Sequence, residues 1–195
     1  MAIRSLKSGT FSRSGLVGNP VIMPGSYESI ASTTVGAGGA ASITFSSIPQ
    51  TYTHLQIRGI GKWTNTGNDQ STIQFTLNSD NGSNYSYHAI RGNGTSGIAI
   101  GQASYTRYLS YIGAPSSFSS YANMFGATVF DLLDYTNTNK NKTMRSLVGF
   151  NTNGGSDSIG ISSGLWMNTA AVTSITVALD GNLAQYSEFA LYGIA

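Results

Sequence analysis

From residue 27 onward the apolar positions recur with a period of two. In STIQFTLNSD, Ile73, Phe75 and Leu77 share one side while Thr72, Gln74 and Thr76 share the other, the alternation of a strand with one buried face. Leu55 and Ile57 alternate with His54, Gln56 and Arg58 in the same way, as do Ile175, Val177 and Leu179 with Ser174, Thr176 and Ala178. MFGATVFDLLDY is apolar on both parities, through Ala127, Val129 and Leu133 on one and Phe130 and Leu132 on the other, and so predicts a central strand. The closing run EFALYGI is also apolar on both parities and predicts a strand covered on both sides.

Between these runs lie turn signals. YESIASTTV, GAGG and AASITFSSI read in order as a hairpin whose glycines supply positive φ. NSDNGSN reads as a Gly-containing turn using Asx hydrogen bonds, and the Gly-rich stretch 92–101 as a surface loop, followed by the strand-like YTRYLSYIGA. No segment shows a sustained 3.6 period with caps. The pattern predicts an all-β, two-sheet, jelly-roll-like sandwich of about ten strands. Its domain spans residues 27–195, preceded by an extended N-terminal arm over 1–26.

Composition supports folding. Ser, Thr, Asn and Gly dominate, charged residues are 9%, and 40% of the chain is hydrophobic, with 11 Tyr, 8 Phe and 2 Trp. A disordered chain carries more charge and fewer aromatics. The absence of cysteine excludes a disulfide framework, a thiolate zinc site and a thiol nucleophile. No apolar h-region opens the chain and no window approaches the apolar length of a membrane span, so neither a signal peptide nor a span is expected.

The net charge of +2 is unevenly placed, because Arg4, Lys7 and Arg13 all precede the first acid, Glu28. Apolar Leu6, Phe11, Leu16 and Val17 lie among these charges. Two readings stand for the arm: a disordered leader, or a segment that orders on a partner, burying those apolar residues and pairing its cations with acidic groups there.

The candidate chemistry is thin. Only two histidines, His54 and His88, are present and no G-x-S-x-G elbow accompanies them, so each reads as a hydrogen-bonded strand histidine. Asp131 and Asp134 are the closest in sequence of the small acidic set but fall on opposite faces of a strand, and a glycosidase would need two carboxyls about 5 to 9.5 Å apart across a cleft. NSDNGSN lacks the bidentate Glu of a calcium loop. No catalytic residue, metal or cofactor is therefore assigned. The nearly neutral domain also lacks the basic stripe of a nucleic-acid binder. Aromatics give the better binding candidates: Trp63, Tyr85, Tyr87, Tyr105, Arg107 and Tyr111 could stack on sugars or a protein partner, or equally form the core.

SYESIASTTVGAGGAASITFSSIPQTYTHLQIRGI, VFDLLDYTNTNKNKTMRSLVGF and GLWMNTAAVTSITVALDGNLAQYSEFALYGIA resemble small β-rich structural proteins of tailed bacteriophages, especially phages of marine bacteria and cyanobacteria. The resemblance covers 27–195, and MAIRSLKSGTFSRSGLVGNP is similar to a leader of such proteins. It implies a non-enzymatic tail-fibre, head-fibre or capsid-decoration component, assembled in the host cytoplasm and located on the virion surface. It further implies a homotrimer, with capsid or tail proteins as partners. A host-glycan-binding adhesin is the alternative, and a polysaccharide-degrading virion enzyme a weaker one.

Overall fold

The computed structural model describes residues 26–117, 119–153 and 157–195. The proposed arm residues Arg4, Leu6, Lys7, Phe11, Arg13, Leu16 and Val17 lie outside them. The described chain forms twelve strands: β1 (Tyr27–Thr34), β2 (Ala40–Phe45), β3 (His54–Gly61), β4 (Gln70–Leu77), β5 (Tyr85–Gly92), β6 (Gly97–Tyr105), β7 (Tyr108–Pro115), β8 (Gly126–Leu133), β9 (Lys142–Phe150), β10 (Ser158–Trp166), β11 (Ile175–Leu183) and β12 (Glu188–Ile194). An isolated bridge joins Trp63 to Leu183. The count exceeds the ten or so expected chiefly because the Gly-rich stretch expected as a loop supplies β6.

All pairings are antiparallel, in an eight-stranded sheet of order β1-β12-β3-β8-β9-β10-β5-β6 and a four-stranded sheet of order β2-β11-β4-β7. Early strands pair with late ones: β1 with β12, β2 with β11, β3 with β8 and β4 with β7. The chain passes between sheets after almost every one of these strands. That nested pairing is a jelly roll, a long hairpin wound into two layers. The GAGG segment is thus no hairpin turn. It carries the chain from one sheet to the other, because β1 and β2 each find a partner near the chain's end.

Two inserted hairpins enlarge the first sheet. β5–β6 lies between β4 and β7, β9–β10 lies between β8 and β11, and β10 pairs with β5 to join them. The Gly-rich segment expected as a loop is therefore mostly strand. Its turn is confined to residues 93–96, where Asn93 Oδ1 accepts from the amides of Thr95 and Ser96 at 3.0 and 2.8 Å and Gly94 takes φ 86°.

The core lies between the sheets and forms from the alternating positions. Ile73, Phe75 and Leu77 of β4, Leu55 and Ile57 of β3, Phe130 and Leu132 of β8, and Phe189 and Leu191 of β12 are buried. Phe75 stacks on Phe130 across the layers, with ring centroids 4.0 Å apart. Such a pair adds about 0.5–1.5 kcal/mol beyond its area burial. Among the described residues, no helix is long and apolar enough to cross a membrane.

Candidate functional site

The two outward faces of the sandwich differ in chemistry. On the smaller sheet, Thr176 stands in register with Thr44 and Thr76, and Ala178 with Ser42 and Gln74. The Thr44 and Thr176 hydroxyls are 2.9 Å apart, and Gln74 hydrogen-bonds both Asp180 and Arg107. This face is polar and suits water.

The larger sheet changes character along its width. Its jelly-roll strands carry a polar and aromatic outer surface: Arg58 lies over the Tyr27 ring at 5.2 Å, Tyr27 stacks on Tyr192 at 4.8 Å, and Asp131 accepts from Arg145 at 2.8 Å and from Gln56 at 2.7 Å. Toward the inserted hairpins the surface becomes apolar. One cross-strand row runs Val129, Leu147, Ile161, Ile90, Ala99; the next runs Ile60, Ala127, Gly149, Ile159, Gly92, Gly97. Ile90 is 70% exposed, Ile161 64%, Ile159 62%, Leu147 49% and Ile60 43%.

These side chains point outward because β7 lies close beneath β10. A Cβ added at Gly164 would sit 2.3 Å from the Tyr108 ring, and one at Gly160 would sit 3.2 Å from the Tyr111 carbonyl oxygen. Tyr108 Oη is 2.9 Å from Ser146 Oγ and donates to the Ser162 carbonyl at 3.1 Å. The inner side of β10 is thus held to Ser158, Gly160 and Ser162, all buried, and Ile159 and Ile161 must face out.

Between these isoleucines and β6 the sheet forms a groove of about 670 Å³. Ile90, Ile159 and Ile161 wall it, Ala99 and Gly101 keep its floor low, and His88 and Ser163 stand opposite each other at one end. Its lining holds no carboxylate, lysine or arginine. A second, smaller depression of about 340 Å³, around Ile60 and Ala190, lies on the same sheet with Arg58 and Glu188 at its rim. The groove offers shape and apolar contact, with His88 and Ser163 as the polar side chains of its lining.

The aromatic candidates do not assemble into an exposed surface. Trp63, Tyr85 and Tyr87 are buried in the core, and Tyr105 and Tyr111 are half-buried against it. Of the two readings, the buried rings take the core one: inserted strands β5 and β6 turn Tyr85, Tyr87 and Tyr105 toward the smaller sheet, which carries Tyr111 on β7. Tyr85 exchanges hydrogen bonds with the Leu77 backbone, and burial pushes its hydroxyl pKa up to about 12. Tyr87 meets Tyr105 edge-on at 6.0 Å, Tyr111 lies under Arg91, and Arg107 is engaged by Gln74.

His54, Asp131 and Asp134 are also engaged. His54 Nδ1 accepts from the Asp134 amide at 2.9 Å, and Asp134 is bound by Lys140, whose ammonium holds its carboxyl below the usual range. Asp80 anchors the NSDNGSN turn, accepting from Trp166 Nε1 at 2.7 Å, Asn84 Nδ2 at 2.9 Å and the Gly82 amide at 2.8 Å. Burial alone would raise its pKa, but the bonds from Trp166, Asn84 and Gly82 outweigh it and hold the carboxyl below its ordinary value. Among the described residues no three His, Cys, Asp or Glu converge as a metal site.

No protein family, curated protein or solved structure matches the chain.

Proposed function

We propose that this chain is a non-enzymatic virion surface protein of a tailed bacteriophage, a head- or tail-attached fibre or a capsid decoration. Residues 1–26 would attach it and the jelly-roll domain would project. The sequence resemblance motivates the location, and the topology is compatible with it, since jelly rolls serve in viral capsid and lectin domains. That last link is an analogy of fold. The observation that carries the surface-protein reading is the outer face of the larger sheet, where Ile90, Leu147, Ile159 and Ile161 are exposed together on neighbouring strands, as on a surface that packs against another protein. The adhesin alternative has less support, because Trp63, Tyr85 and Tyr87 present no free ring face.

The test is co-fractionation. Particles from a lysate containing the protein are banded on a density gradient, and peptides from residues 27–195 are quantified across the fractions by mass spectrometry. Enrichment in the particle band is expected. Recovery only among unassembled soluble proteins would overturn the reading.

A further inference from the structure

The apolar outer face has a definite extent and a definite border. Ile90, Leu147, Ile159 and Ile161 alone present on the order of 400 Å², which is within the size of the largest apolar patch of an ordinary monomer, about 300–600 Å². It is about half of the roughly 800 Å² that each partner contributes to a stable interface. With Val129, Ala127 and Ala99 in the same rows, the face is large enough to hold a protein surface.

Its border adds a second observation. β6 is the outermost strand of the eight-stranded sheet, nine residues long, with no charge and no proline. Exposed edges are ordinarily blunted by lysine, proline, a very short strand or a cover. β6 has neither of the sequence devices, and it flanks the same groove. An occupant lying on Ile90, Ile159 and Ile161 would cover the face beside this edge.

Charge selects the occupant. The groove lining has no acidic group to receive a basic segment and no cation to hold a nucleic acid or an acidic protein. On the adjacent row Arg145 and Asp131 pair at 2.8 Å, and at the far border Arg58, opposite Val129, and Glu188, opposite Ile60, add one charge of each sign. The chain's own basic leader therefore gains nothing electrostatic here. An equally neutral apolar surface fits best, and this chain carries one: the same face.

We infer that the outer face of β9, β10, β5 and β6 is a self-association surface, and that its occupant is a second copy of this chain. Packing the same patch on both copies is the usual way homo-oligomers close. Sheet packs on sheet at about 10 Å, with Ile161 and Ile90 interdigitating at the centre. This contact is a property of the isolated protein, so it stands or falls independently of where the protein resides.

The experiment measures the mass of the full chain in solution by light scattering and sedimentation equilibrium. The expected mass is at least twice the 20.5 kDa of one chain. Ile161→Lys and Ile90→Lys, each at an exposed position, should weaken association at least tenfold and give single chains while the cooperative melt is retained. Thr176→Lys, on the opposite face, should leave the mass unchanged. An independent readout uses the cysteine-free sequence: the sole thiol of Ser163→Cys should react slowly with a maleimide in the assembled protein and several-fold faster once Ile161→Lys is added. A wild-type mass of 20.5 kDa at every concentration, an assembly that survives Ile161→Lys, or equal thiol rates in the two proteins would each overturn the inference.

Discussion

Tyr108 decides which side of β10 meets the core. The run SIGIS alternates cleanly, and alternation alone would bury its isoleucines. The Tyr108 ring, packed against Gly164 and hydrogen-bonded at Ser146 and Ser162, leaves room only for the small residues. A period of two shows that a strand has two faces without saying which is inside. The apolar face was therefore illegible in the sequence, whereas the Asp80 turn was readable from local residue chemistry. Asp80 also gives a residue-scale prediction. Asp80→Asn sets an amide donor among the Trp166, Asn84 and Gly82 donors and should lower stability by about 1–3 kcal/mol at neutral pH. Because the folded carboxyl titrates below its unfolded value, its contribution is complete above about pH 4 and fades as pH falls through the folded pKa. Urea denaturation of the two proteins should therefore show a gap that is flat from neutral pH to mild acid and narrows below that. A gap that widened in acid would refute this account of Asp80.

Elements were legible where alternation was uninterrupted. β3, β4, β8 and β11 follow their predicted runs, and β12 buries Phe189 and Leu191 as its pattern suggests, but it is not covered on both sides: Ala190, Tyr192 and Ile194 on its other face are only half-buried, with Tyr192 stacked on Tyr27. The pairing of elements was not legible. β1 and β2 are adjacent in sequence, yet each pairs near the other end of the chain, a choice made by the wound topology and not by the turn between them. The tyrosines of β5 and β6 were ambiguous for a related reason, since their burial depends on β7 arriving from the other sheet. β12 supplies the element-scale prediction. It sits between β1 and β3, so deleting residues 187–195 removes two ladders together with the burial of Phe189 and Leu191. Those two side chains alone are worth roughly 1.5–3 kcal/mol each, against a total of about 5–15 kcal/mol for a typical domain. Calorimetry should show no cooperative transition in the deleted chain; a soluble protein with a sharp melt would refute the scaffold role of β12.

At the scale of the whole molecule, the nested pairing brings the ends of the described chain together. Tyr27 is in register with Ile194, and the Ala195 amide donates to the Ser26 carbonyl at 3.4 Å. Circular permutation succeeds where ends adjoin and the new break falls in an exposed turn. Linking residue 195 to residue 26 through a short Gly/Ser linker and opening the chain at the 93–96 turn should give a protein whose near-UV circular dichroism matches the parent and whose melting point lies within a few degrees of it. Failure to refold would show that chain order, and not only pairing, is needed. A permuted chain that folds would also separate the polarity of the molecule from its architecture. A leader grafted to the new opening would hang from the β5–β6 end of the larger sheet instead of the β1 edge, so whatever that leader holds would see the domain turned end for end.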